Sequence, residues 1–190
     1  MKINALTIQS DKLGNAIVSP ISVCKPAISN ETYFDTKAIW DTGATHSVIT
    51  ESMAKKIGLV SITKAPVIGI HGTQDANVYF VHVILNNKEI ALDLRVTECS
   101  ELSSDSSIGM LIGMDVITKG DFSISNCNGV TTMTFRVPAL ERIDFVDEIK
   151  TFNEIKKRHE LNTTHNITDK CPCGSGKLYK NCHGLSIYNK

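Results

Sequence analysis

Up to about residue 138 the apolar positions fall in short runs rich in Val, Ile and aromatic residues; beyond it they recur every third residue among charges. Runs at 16–24, 33–40, 78–85 and 90–96 have the length and composition of β-strands. Asn86-Asn87, between the last two, predicts a tight turn joining a hairpin. A second hairpin is predicted over 122–127 and 130–137, because Asn128-Gly129 supplies the positive φ angles that a two-residue turn demands. Two short helices interrupt the strands. Residues 50–58 carry a capping hydroxyl on Thr50, a helix-forming middle and a terminating Gly58, and 115–119, stopped by Gly120, have room for about one turn. Asp115 is read as that second helix's cap and Asp121 as a turn residue.

Pro138 ends the β region. From 140 to 161, Leu140, Ile143, Val146, Ile149, Phe152 and Ile155 predict an amphipathic helix, with Asp144, Asp147 and Glu148 placing negative charge near its start. Residues 162–169 are polar, and the last stretch, 170–190, is too short to bury a core and needs a staple. Three segments result: a β domain over 1–138, a helix and linker over 139–169, and a small terminal knuckle over 170–190.

Composition adds constraints on partners. A chain of 190 residues with 42% apolar positions can bury a real core and carry a small appendage. Twenty basic residues balance twenty acidic ones, so no strong field favours nucleic acid or an anionic membrane surface. No run approaches the ~18 apolar residues that a membrane helix requires. The opening MKINALTIQSDKLG has neither a long apolar run nor a small-residue cleavage site, and a cytoplasmic protein is expected. Of six cysteines, Cys24, Cys99 and Cys127 are scattered, whereas Cys171, Cys173 and Cys182 crowd the end. Clustering of that kind favours metal over a disulfide framework.

The string with most chemistry in it is Ala38-Ile39-Trp40-Asp41-Thr42-Gly43-Ala44-Thr45-His46-Ser47-Val48-Ile49. An apolar strand delivers an aspartate, Thr42 can brace the loop with its hydroxyl, and Gly43 leaves room for backbone amides to reach the carboxylate. Asp, Thr and Gly are also ordinary turn residues. Two later segments add weight: Val67-Ile68-Gly69-Ile70-His71-Gly72-Thr73, a glycine-bearing apolar stretch placed like a mobile hairpin tip, and Met110-Leu111-Ile112-Gly113-Met114-Asp115-Val116-Ile117, an apolar strand, a glycine and a short helix. In this order the three resemble the retropepsin-like aspartic peptidases, over roughly residues 14–138. His46, Ser47 and Cys99 form no hydrolase triad, since no nucleophile elbow accompanies them.

The resemblance implies a retropepsin-like closed β barrel or sheet domain with short helices. It implies that Asp41 is the catalytic aspartate, that Thr42 braces two loops across a dimer, that Gly43 is the close-approach glycine, that Gly69, Ile70, His71 and Gly72 form a substrate-covering flap, and that Gly113 packs behind the active-site loop. Hydrolysis of an amide by activated water needs one carboxylate as base and one carboxylic acid, and two such groups held close share a proton. Only one Asp-Thr-Gly occurs, so the second aspartate must come from a two-fold-related copy, with an extended peptide as substrate.

At the other end, Cys171, Cys173, Cys182 and His183 offer three thiols and an imidazole, a set that suits tetrahedral zinc. Gly174-Ser175-Gly176 can turn the chain and point amides at the thiolates. Gly-Ser-Gly-Lys is not a phosphate loop, because Cys171 stands where the first glycine belongs and Leu178 where Ser or Thr belongs. The segment resembles the SEC-C motif at every fixed position. That likeness implies one structural zinc, a bacterial origin and docking to a protein or ribosome partner, with Lys177, Tyr179 and Lys180 as candidates for the docking surface. The expected protein is a homodimeric aspartic endopeptidase with a zinc knuckle; the competing readings are a non-catalytic peptide-binding or assembly dimer, and an adaptor acting at the ribosome or translocation machinery through the knuckle.

Overall fold

The structure, a computed structural model, describes residues 2–26, 32–69, 72–164 and 166–183, except the side chains of 68 and of 158–164. It divides into two units, Met1–Glu141 and Arg142–Lys190. The first is built from strands β1 (Asn4–Gln9), β2 (Ile17–Cys24), β3 (Phe34–Trp40), β4 (Val48–Thr50), β5 (Thr63–Gly69), β6 (Gly72–Leu85), β7 (Ala91–Cys99), β8 (Ile108–Ile112), β9 (Asp121–Cys127) and β10 (Val130–Val137). Helix α1 (Glu51–Ile57) follows β4, and α2 (Met114–Ile117) follows β8.

Six strands close on themselves. The order β2-β3-β8-β4-β7-β6 is completed by a second pairing of β2 with β6, from Ile21↔Leu85 to Cys24↔His82. Ring closure leaves no free edge in the barrel wall, and β5 hangs from β6 outside the ring. Alternate residues point inward, and Val23, Ala38, Ile49, Val81, Val83, Val96, Met110 and Ile112 are almost wholly shielded from water. The predicted barrel or sheet is therefore a closed barrel. β6 is much longer than the 78–85 segment expected: its first half pairs with β5 (Gly69↔Gly72 to Thr63↔Val78) and its second half with β7 and β2. One strand is thus both hairpin arm and barrel stave, and its polar start, Gly72 to Asn77, hid it from a search for apolar runs.

A second sheet, β1-β10-β9, brings the N-terminal strand against the end of the unit, with Asn4↔Val137 to Gln9↔Thr132 in register. It packs on the barrel through aromatic rings. Trp40 stacks on Phe122 at 5.6 Å and meets Phe135 at 5.2 Å, while its indole N–H donates to buried Ser19 Oγ at 2.9 Å. The outer edge of β1 is tied to the β6–β7 turn, where Asn87 Nδ2 donates to Ala5 O and Asn4 Nδ2 to Glu89 O, both at 3.1 Å.

The β9–β10 turn has the expected form, with φ 53° at Asn128 and 77° at Gly129. The β6–β7 turn is longer than a two-residue Asn-Asn turn. Lys88, not an asparagine, takes the positive φ of 57°, and Asn87 Oδ1 accepts from the N–H groups of Glu89 and Ile90. Helix α1 runs as expected, Thr50 Oγ1 accepting from Met53 N and Gly58 ending the helix at φ 73°. Asp121 is not a turn residue: it opens β9 and receives Arg136 Nε at 2.9 Å, Arg136 Nη2 at 2.6 Å and Leu140 N at 2.9 Å.

In the second unit, α3 spans Phe145–Thr164. It starts five residues later than its apolar pattern suggested, because Asp144 caps it, accepting from Val146 N at 3.1 Å and Asp147 N at 3.3 Å. Leu140 and Ile143 precede the helix. No helix among the described residues is long and apolar enough to cross a membrane.

Donation from Leu140 N–H and then from Arg136 holds the Asp121 carboxyl below its ordinary range. A carboxyl depressed in the folded state stabilises that state above the ordinary carboxylate pKa of about 3.9, and the contribution fades as pH falls through the lowered value. Asp121→Asn is accordingly expected to melt below the wild type at neutral pH, with the gap narrowing as pH falls below about 4. Thermal unfolding followed by circular dichroism across that range checks it.

Candidate functional site

β3 delivers Asp41 at the barrel's end. Its backbone is fixed from below, Asp41 N donating to Ile112 O on parallel neighbour β8 at 2.9 Å. Its half-buried carboxylate is fixed from the side: Gly43 N donates to Asp41 Oδ1 at 2.8 Å. A Cβ on Gly43 would stand 3.2 Å from that oxygen, so glycine permits the tight approach. Thr42 and Gly43 are exposed. Thr42 Oγ1 has no hydrogen-bond partner among the described residues.

The rest of the loop is stapled to the start of α2. Met114 N donates to Ala44 O at 2.8 Å and Asp115 N to Thr45 O at 3.2 Å. Contact this close demands Gly113: an added Cβ would sit 2.7 Å from the carbonyl carbon of His46 and 2.8 Å from the carbonyl oxygens of Ala44 and His46. A side-chain pair locks the same junction. Ser47, fully buried, donates from Oγ to Asp115 Oδ1 at 2.8 Å and accepts from Gly113 N at 3.1 Å. Asp115 is therefore not a helix cap; it lies in the first turn of α2, whose cap position is Gly113, and it holds Ser47. Sequence reasoning set Ser47 aside as a nucleophile in favour of a satisfied surface or core role, without naming its partners. The signal available was a small hydroxyl between an apolar strand and the aspartate loop, where a buried polar group needs partners.

No hydrolase triad forms. Ser47 has no histidine partner among the described residues, His46 is exposed, and burial, with the nearby Glu98 carboxylate, pushes the Cys99 thiol up to about 11. Glu98 has a different task, accepting from Asn77 Nδ2 at 3.0 Å and from the Tyr79 hydroxyl. Burial and this hydrogen bond push Tyr79 up to about 12. Both Asn77 and Tyr79 belong to β6, and Glu98 pairs with Ile49 of β4, the strand that leaves the aspartate loop. The β5–β6 hairpin is thus rooted beside that loop. Gly69 and Gly72 face each other at its end, Gly72 with φ 99°; Ile70 and His71 lie outside the described residues.

Residues 27–116 match the aspartyl protease family. The closed six-strand barrel of the first unit agrees with the retropepsin-like domain expected from the sequence. Among solved structures it is similar to a retropepsin-like aspartic protease from Rickettsia conorii, with 14% identity over 72% of this chain and 97% of that one and a TM-score of 0.44. EIAV protease complexed with the inhibitor HBY-793 is 15% identical over 57% and 90%, with a TM-score of 0.41. The retroviral protease-like domain of Ddi1 from Leishmania major is 20% identical over 70% and 99%, with a TM-score of 0.39. No curated protein matches the sequence.

Residues 168–185 match the SEC-C motif. The donor atoms of Cys171, Cys173, Cys182 and His183 all lie within 4.8 Å of one another. Cys171 Sγ is 3.1 Å from His183 Nδ1, and Cys182 Sγ is 3.5 Å from both Cys173 Sγ and His183 Nδ1. A zinc tetrahedron with Zn–S near 2.3 Å has edges of roughly 3.8 Å, so this donor set can close on such an ion. Gly174 and Gly176 take φ of 77° and 70° to turn the chain. The amides that meet the thiols belong to Cys173 and His183, which serve Cys171, and to Ser175, which serves Cys173, not to those glycines. Ser175, through hydroxyl and amide, holds the Cys173 thiol down at about 6, whereas burial raises Cys171. Tyr179 is not a docking residue: it is buried and forms the knuckle's small core, while Lys177 and Lys180 are exposed.

Gly113→Ala is expected to cost the first unit about 1–3 kcal/mol or more, because backbone atoms must move to admit the methyl group. Ser47→Ala should cost about 1–3 kcal/mol by leaving Asp115 and Gly113 N–H without their partner. Urea denaturation of each variant measures both.

Proposed function

We propose that this protein is a homodimeric aspartic endopeptidase whose two Asp41 carboxyl groups, one from each copy, activate water between them. The observation that carries the reading is a single Asp-Thr-Gly loop, held by backbone hydrogen bonds within a segment that matches the aspartyl protease family, with half of the required pair of carboxyl groups. One carboxylate takes a proton from water as it attacks the peptide carbonyl, and the protonated partner donates to the carbonyl oxygen. Thr42, exposed beside Asp41, braces the facing loop across the two-fold axis. The β5–β6 hairpin serves as flap, covering an extended peptide whose backbone adds to the sheet, with Gly69, Ile70, His71 and Gly72 at its tip. The enzyme works in the cytoplasm.

In the same reading the Cys171, Cys173, Cys182 and His183 cluster holds one structural zinc per chain, which staples a segment too small to fold on a core of its own. The knuckle then docks the enzyme to a protein or ribosome partner through exposed surface that includes Lys177 and Lys180.

Asp41→Asn keeps the size of the side chain and removes base and acid together. Cleavage of a peptide library, read by mass spectrometry, should fall by roughly 10²–10⁴-fold or more, while sedimentation shows a dimer at least as tight as wild type. Unchanged cleavage by this variant would sink the catalytic reading. A folded wild-type dimer that cuts nothing would favour a peptide-binding assembly module.

For the tail, elemental analysis of protein purified without chelator should find one zinc per chain, lost in Cys171→Ser and Cys182→Ser. Because the first unit has its own core, its thermal transition should stay in place in both variants.

A further inference from the structure

The donor atoms of the terminal knuckle are not equivalent. Cys171 is 4% exposed, and its Sγ lies 3.1 Å from His183 Nδ1. Cys173 is exposed and Cys182 half-buried, and their sulfurs stand 3.5 Å apart. The cluster thus pairs one sheltered thiol with the imidazole and leaves two thiols side by side at the surface. A disulfide holds its sulfurs at about 2 Å, so this outer pair has roughly 1.5 Å to close.

Little else orders the segment. Cys171 and Tyr179 are the only buried side chains among the described residues of 166–183. A staple rather than a core keeps such a segment folded, so a change in the donor set changes whether it is folded at all. The susceptibility of a thiol to oxidation follows its exposure, which singles out Cys173 and then Cys182.

We propose that the knuckle is a peroxide-sensitive switch, in which Cys173 and Cys182 join in a disulfide and give up the ion they share. This rests on the zinc reading of the cluster and adds a reversible way to undo it. The Cys173 thiolate attacks hydrogen peroxide, the O–O bond breaks, and the sulfur becomes a sulfenic acid as hydroxide leaves. The Cys182 thiolate then attacks that sulfur and expels a second hydroxide as the S–S bond forms. Two electrons pass in all from the two thiolates to the peroxide oxygens. Cys171 and His183 remain, half of the four donors that a structural zinc site needs. A dithiol reverses the step by returning two electrons and becoming a disulfide itself.

The test uses zinc-loaded full-length protein, hydrogen peroxide, and a metallochromic dye too weak to strip the ion unaided. One zinc per chain should reach the dye for each Cys173–Cys182 disulfide found by peptide mass mapping, and a dithiol with added zinc should restore the loaded protein. Cys127→Ser, which removes the exposed thiol of β9, should release the ion in the same way; release that disappears in this variant would assign the oxidation to another thiol and overturn the switch. Release through a disulfide of Cys171, or through sulfinic acid on Cys173 with no disulfide, would also overturn it and leave the zinc reading standing. Peroxide that leaves the ion in place has the same meaning, as does oxidation that a dithiol cannot reverse. Protein that carries no zinc removes both the switch and the zinc reading.

Discussion

Three main-chain hydrogen bonds hold the aspartate loop to a distant part of the chain: Asp41 N to Ile112 O, Met114 N to Ala44 O and Asp115 N to Thr45 O. They form only because Gly113 has no side chain where the backbone of residues 44–46 passes. Most of the first unit's architecture serves this crossing. β3 and β8 must run parallel and end together for the two segments to meet, and a parallel pair needs a long connection between its strands. Everything from β4 to β7, the β5–β6 hairpin included, is that connection. Ser47 and Asp115 then fill the polar space that the crossing leaves inside the barrel wall, so the junction contains no unsatisfied buried side chain.

Much of this was legible in residue order. Thr50 and Gly58 bounded α1, Asn128-Gly129 gave the hairpin turn, and the family that the three motifs resemble implied the barrel. What escaped shares one cause: roles that depend on a partner far away in sequence. Asp115 resembles a cap until Ser47, 68 positions earlier, is brought to it. Asp121 resembles a turn until Arg136 and Leu140 close on it. The first half of β6 is polar because the hairpin there is a two-stranded ribbon with no core face to fill. Tyr179 looked like recognition surface because a segment this short shows no apolar pattern to mark the ring it buries.

The two units reach order by different physics. In the first, closure of six strands and the Trp40, Phe122 and Phe135 cluster remove apolar surface from water on a scale that a small segment cannot match. In the second, four donor atoms converge within a few ångströms, and a single ion can do there what dozens of contacts do in the barrel. With an ion held there as proposed, the units would answer to different perturbations, one to heat and denaturant, the other to chelators and oxidants.

The pairing of β1 with β10 has a consequence for how the chain acquires its shape. Leu6, synthesised before every strand of the barrel, lies opposite Phe135. A ribosome delivers the N-terminal strand long before the strand that fixes its register, so β1 waits unpaired while the whole barrel is made. Pairings of such high sequence separation place the domain among slow folders, and the waiting strand, with its alternate apolar residues, is the segment most in need of shelter from neighbouring nascent chains.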